Sequence, residues 1–149
     1  MGSGIRNARA MRGSAAVEFA LFAPMLLILL TLAVEIGDGV YEAMQVQNSA
    51  EAGALFAAKH GWNSAGISAA VVNETGVSGV TASPAPSEFC GCPVATGITA
   101  TACTTACANG NAAGTYVQIN AMLAHQTILT YPGMVSPTSL TGSAIVRLN

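Results

Sequence analysis

The stretch Phe19–Val34, FALFAPMLLILLTLAV, decides the fold. It carries no charge. As an α-helix rising about 1.5 Å per residue it spans roughly 24 Å. That is short of the roughly 30 Å hydrocarbon core of a bilayer. Extending the helix back to Ser14 completes a span, but only by including Glu18. A block so uniformly apolar has no face to offer water, and a small domain has little interior to bury it. A secretory signal peptide also joins a basic start to an apolar run. This run is long for one, however, and no A-x-A-like site follows Val34, where the chain continues Glu35-Ile36-Gly37-Asp38. The stretch reads as a membrane anchor.

The rest of the composition agrees. The chain has 149 residues, enough for one modest domain. Hydrophobic residues make up 52% and charged residues 8%, against roughly 25% charged in an ordinary soluble domain. Alanine, glycine, serine and threonine dominate beyond the anchor, so the core there is thin. Net charge is −2, but its distribution is uneven. Three of the five basic residues are Arg6, Arg9 and Arg12, and all seven acidic residues lie from Glu18 onward. Lys and Arg stay on the cytoplasmic side of a membrane. The N-terminus is therefore expected inside, and everything after about residue 38 outside. The arginines lack interleaved aromatics and any nucleic-acid motif, so nucleic acid is not an expected partner.

Outward from the anchor, residues 1–13 form a basic leader without a periodic apolar face. One long helix is expected over 14–60, its transmembrane half at about 14–36. Small or apolar residues at Val40, Ala43, Ala50, Ala54 and Ala57 continue the helical spacing beyond the membrane, with Gln47 interrupting. Gly37, Gly39 and Gly53 weaken it, each by about 1 kcal/mol against alanine. Lys59, His60 and Gly61 mark its end. Trp62 is expected as a core anchor.

Residues 64–74 suggest a short helix capped by Ser64, and 76–82 a strand. Residues 83–88 read as a loop. The cysteine stretch 89–114 also reads as a loop, with an Asn109-Gly110 turn. Strands are expected over Thr115–Ala124 and Ser139–Leu148, with a Pro132-Gly133 turn between them. The fold class is α+β: a long membrane-spanning N-terminal helix continuing into a small extracytoplasmic domain, 61–149. An antiparallel sheet in that domain packs on the outer half of the helix.

Four cysteines, Cys90, Cys92, Cys103 and Cys107, cluster in that domain. An even set in an oxidising compartment reads as a disulfide framework. A four-thiolate zinc site usually has two to four residues between paired cysteines, which Cys90-x-Cys92 does not fit, so no metal is expected. Three pairings exist. A Cys90–Cys92 ring would be very tight, which favours links from that pair to Cys103 and Cys107.

Nothing points to catalysis. His60 and His125 are the only histidines, and no G-x-S-x-G, H-E-x-x-H or phosphate loop occurs. His60 reads as a helix-end cation and His125 as a strand-end surface residue. The Asn73-Glu74-Thr75 sequon reads as chance. No enzyme, catalytic residue, cofactor or small-molecule substrate is expected.

The informative constellation is Gly13-Ser14-Ala15-Ala16-Val17-Glu18-Phe19. Arginines lead to a glycine at the membrane face, and a carboxylate follows just before the apolar helix. An acidic residue at the centre of a membrane helix costs about 2.5–3.5 kcal/mol on insertion scales and calls for a partner. A cut after Gly13 would give Ser14 a new α-amino charge. Ser14 and Glu18, four apart, share a helix face, and Glu18 in the first turns also gains from the helix dipole. Pro24 removes one helical hydrogen bond and frees the carbonyl of Ala20, at roughly 3 kcal/mol in water. Membrane helices tolerate such prolines. A passive kink and a softened, rearrangeable helix both remain open.

These residues resemble the N-terminus of the TadE-like family, which reads R-G-x-x-x-V-E-F-A-L, a proline, then an apolar helix. Arg12, Gly13, Val17, Glu18, Phe19, Ala20, Leu21 and Pro24 match. The likeness is specific over about 12–60 and weaker over 115–149, where a strand, a proline loop and a strand ending in arginine also fit. The middle of the chain matches only loosely. The family's closing R-x-E is here Arg147-Leu148-Asn149. The resemblance implies a precursor cut between Gly13 and Ser14 by a prepilin peptidase. It implies a minor pilin or pseudopilin in the biogenesis of tight-adherence pili, held in the bacterial inner membrane. Glu18, Phe19 and Pro24 would then serve assembly. The partners would be the membrane, the peptidase, other pilin subunits and the pilus-assembly machinery. The alternative is a single-pass, adhesin-like binding domain that is neither processed nor polymerised.

Overall fold

The computed structural model describes residues 6–127 and 138–148, with side chains from residue 15 onward. The expected Pro132-Gly133 turn lies outside the described residues. The chain divides into two compact units, Met1–Asp38 and Gly39–Asn149. Helix α1, Arg6–His60, is continuous, with Pro24 inside it. It begins before the expected Ser14. Ala8, Ala10, Met11 and the arginines are good helix formers, so nothing in that segment stops it. It ends as expected: Gly61 takes φ 76°, and its N–H donates to the carbonyl of Ala57 at 2.9 Å, a left-handed glycine cap.

In the first unit the apolar side chains cover the whole circumference of α1. Leu26, Leu27, Ile28, Leu29 and Leu30 are each more than half exposed. From Ala15 the helix is long and apolar enough to cross a membrane. Its most apolar window has mean hydropathy 2.4, and none of it is buried in protein. Thr31 turns its hydroxyl back onto the carbonyls of Leu27 and Ile28 at 3.1 and 2.9 Å, so it brings no unsatisfied donor into the apolar run.

The second unit packs the remainder of α1 and a short helix, α2 (Ser64–Asn73), on one face of a four-stranded sheet. The cap of α2 is Asn63, not Ser64. The Asn63 side chain accepts from the N–H of Gly66 at 3.0 Å, as an N-cap residue does. Strands β1 (Ser87–Val94), β2 (Gly97–Ala100), β3 (Gly114–Ala124) and β4 (Ser139–Arg147) run in the order β2-β1-β3-β4, all antiparallel. The two last strands fall within one residue of their expected bounds. Val117, Ile119, Ala121 and Leu123 of β3 stand opposite Val146, Ala144, Gly142 and Leu140 of β4, one apolar face toward the helices.

Three local expectations fail. Residues 76–82 form no strand; only Thr81 bridges to Met122, through paired bonds of 2.8 Å. The stretch expected as a loop around Cys90 and Cys92 is a hairpin, β1–β2, closed where Val94 pairs with Gly97. Trp62 is 42% exposed rather than an anchor. The Gly61 turn leaves it in the link between the helices, and Phe56 packs over Gly66 instead.

The packed face of α1 keeps Ala50 and Ala57 of the expected stripe, with Ala54 packed against the core, but not its first two positions. Val40 is 55% exposed and Ala43 is exposed. The buried positions are Val46, Ser49, Ala50, Gly53 and Ala57. Gly53 is what lets the layers approach. A β-carbon there would come within 2.7 Å of Val71 Cγ2 and 3.0 Å of Ile119 Cγ2. Its helix-propensity cost is offset by closer packing of α1 on α2 and β3. Buried Ser49 satisfies its hydroxyl on the carbonyl of Gln45 at 3.1 Å.

Candidate functional site

The N-terminal constellation lies within one helix. Gly13 and Ser14 are both in α1, as are Glu18, Phe19 and Pro24. Glu18 is exposed, and Phe19 is 72% exposed. Phe19, Phe22, Ala23, Leu26 and Leu27 line a shallow apolar groove. Their spacing puts them on one side of the helix. The arrangement offers a hydrophobic surface with a carboxylate at its start, suited to lipid or to other apolar helices.

The four cysteines form two disulfides, Cys90–Cys103 and Cys92–Cys107, with Cα separations of 5.0 and 5.5 Å. Both therefore run from the Cys90/Cys92 pair to the later pair. Cys90 and Cys92 are two apart on β1, so their side chains leave the same face. The interlaced links bind that face to the segment after β2. This segment is itself folded: the N–H of Cys107 donates to the carbonyl of Asn111 at 2.7 Å, and Gly110, at φ 81°, donates to Cys107 at 2.8 Å. The Asn109-Gly110 turn is thus present. All four cysteine sulfurs are taken up in these two links. Among the described residues no cluster of three or more His, Cys, Asp or Glu is placed to hold a metal ion.

The histidines differ from each other. His60 stacks on Phe56 with ring centroids 4.4 Å apart, and its Nδ1 lies 3.2 Å from the Phe56 carbonyl. His125 is at the end of β3 but is not a surface residue. Its side chain is 6% exposed, and its Nδ1 lies 2.6 Å from Glu42 Oε2. A β-carbon on Gly39 would sit 3.8 Å from the His125 ring. Sequence reading missed this contact, whose signal appears only once the packed side of α1 is known. Glu42 falls three and four residues from Gly39 and Val46 on the packed side of α1, where a carboxylate requires a partner.

Comparison with curated proteins and with solved structures returns no match. Residues 13–55, the segment that carries Gly13, Glu18, Pro24 and the apolar helix, match the family model of TadE-like proteins.

Proposed function

We propose that this chain is a structural or assembly subunit of tight-adherence pili, a minor pilin or pseudopilin rather than an enzyme. One observation carries the reading: the family match opens at Gly13, where the basic leader meets an apolar helix whose most apolar window none of the described residues buries. The helix anchors the chain once in the bacterial inner membrane. Arg6, Arg9 and Arg12 hold the N-terminus in the cytoplasm, and the disulfide-bearing unit lies outside.

A prepilin peptidase cuts between Gly13 and Ser14 on this reading. A peptide bond must leave the helix to be cut, and Gly13 makes that turn easier to open by about 1 kcal/mol relative to alanine. Cleavage exposes the Ser14 amine, and Glu18 one turn on supplies its counter-charge, within a subunit or across neighbours. Mass spectrometry of protein coexpressed with a prepilin peptidase is expected to find a mature chain starting at Ser14. An intact leader under those conditions would favour the uncleaved, adhesin-like anchored domain instead.

Glu18→Ala is expected to leave insertion intact or ease it, since it removes a charge worth about 2.5–3.5 kcal/mol at a helix centre. Assembly is expected to fall. Membrane fractionation and pilus counts on the same cells separate the two effects. Normal pili from the alanine variant would reduce Glu18 to an interfacial side chain.

A further inference from the structure

Strand β4 is an edge of the sheet. Its hydrogen-bonding phase is fixed at both ends: His125 N–H donates to the Thr138 carbonyl, and Leu148 N–H donates to the Thr115 carbonyl. In an antiparallel pair such hydrogen-bonded positions alternate. The N–H and C=O groups of Thr141, Ser143 and Ile145 therefore point away from β3, toward the open edge. Edge strands normally carry lysine, proline or a bulge to refuse a second strand. The sequence of β4, SLTGSAIVR, carries no charge before Arg147. Thr141, Ser143 and Ile145 are exposed. Such a strand is well suited to pair with itself.

Gln47 of α1 meets this edge. Its Nε2 donates to the Ser143 carbonyl at 3.2 Å, and its Oε1 accepts from the Ser143 N–H at 3.2 Å. The same Nε2 lies 3.1 Å from Glu51 Oε1, which fixes which way the amide faces. One side-chain amide thus makes both bonds that a residue of an adjacent antiparallel strand would make. We propose that Gln47 closes the β4 edge against a second copy of this chain. The occupant it refuses is β4 of another subunit. A two-fold antiparallel pairing centred on Ser143 is self-complementary, placing Thr141 opposite Ile145, and apolar helices sharing a membrane bring copies side by side. Gln47, which breaks the apolar stripe of α1, keeps the sheets apart so that subunits associate through their helices.

The test uses the full chain in detergent, comparing wild type with Gln47→Met, which keeps the length of the side chain and good helix propensity but loses both bonds. Sedimentation is expected to show a doubling of protein mass for Gln47→Met relative to wild type. Amide hydrogen exchange is expected to show new protection at Thr141 and Ile145. Adding Ile145→Lys to the Gln47→Met variant is expected to restore the wild-type mass. A Gln47→Met protein of wild-type mass would overturn the proposal. So would one that associates with Thr141 and Ile145 unprotected, or whose association survives Ile145→Lys. Gln47→Ala, read in the same three ways, guards against a folding defect peculiar to methionine.

Discussion

Reducing both disulfides is expected to lower the melting temperature of the Gly39–Asn149 unit by roughly 10–25 °C. The loops closed have sequence separations of 13 and 15. In the chain-entropy model a loop of that size is worth about 3 kcal/mol. The two loops interlace, so the second link removes freedom the first has already restricted, and the sum is less than double. For a unit of this size about 1 kcal/mol moves the midpoint by roughly 4 °C. The effect is large because the core is thin: among the described residues its buried cluster is a short set of valines, isoleucines, alanines and Leu123. Tyr116 on the other face rests on Phe89, with centroids 5.8 Å apart.

The order of events is also expected. The β1–β2 hairpin and the segment after it should lose amide protection first, and the apolar half of α1 last, since detergent or lipid covers that half whatever the thiols do. Calorimetry of the full chain with and without reductant, with thiols counted in each sample, makes the measurement. Four titratable thiols with an unchanged midpoint would show that the links carry no stability.

The parts of the fold written in large, periodic side chains were readable. The apolar run of α1 needs no tertiary context to be recognised. β3 and β4 alternate Val117, Ile119, Ala121 and Leu123 with polar or flexible neighbours, and their partners in β4 do the same. Where side chains are small, the signal fades. In α1 beyond the membrane about half the positions are alanine, glycine, serine or a short polar residue. Ala50 and Ala57 were therefore placed correctly, but Val40 and Ala43 looked as good as the buried Val46 and Gly53. The difference lies in shape: Gly53 is buried because Val71 and Ile119 occupy the space of its missing side chain. The hairpin around Cys90 and Cys92 has two glycines and a proline among its residues and few β-branched ones, so propensity argued against it. Its pairing to β3 and its disulfides override that preference. The contacts that join distant segments, Glu42 to His125 and Gln47 to Ser143, depend on which face of α1 is packed and could not precede that knowledge. The N-terminal constellation could be proposed from the sequence because its chemistry is local, with glycine, carboxylate and apolar run set by order alone.

Substituting Gly142 is expected to be the most damaging small change in the sheet. A β-carbon at this position would lie 2.7 Å from the Val46 carbonyl oxygen, 2.8 Å from Gln47 Cα and 2.9 Å from the Gln47 N. All three are backbone atoms of α1, so no rotamer change can make room. The helix must lift from β4 or the strand must bend. Overpacking of this kind costs about 1–3 kcal/mol. Gly142→Ala is expected near the middle of that range, and Gly142→Val, with two more carbons to place, at its top or beyond. Gly37→Ala supplies the contrast. Gly37 is in the same helix as Val46, but its β-carbon would meet nothing within 4 Å. That change should stabilise the helix by about 1 kcal/mol. Denaturant titration of the three variants in one detergent, followed by a probe of the sheet, gives the comparison. A Gly142→Ala midpoint equal to that of the wild type would mean that α1 and β4 do not approach as closely as the packing requires.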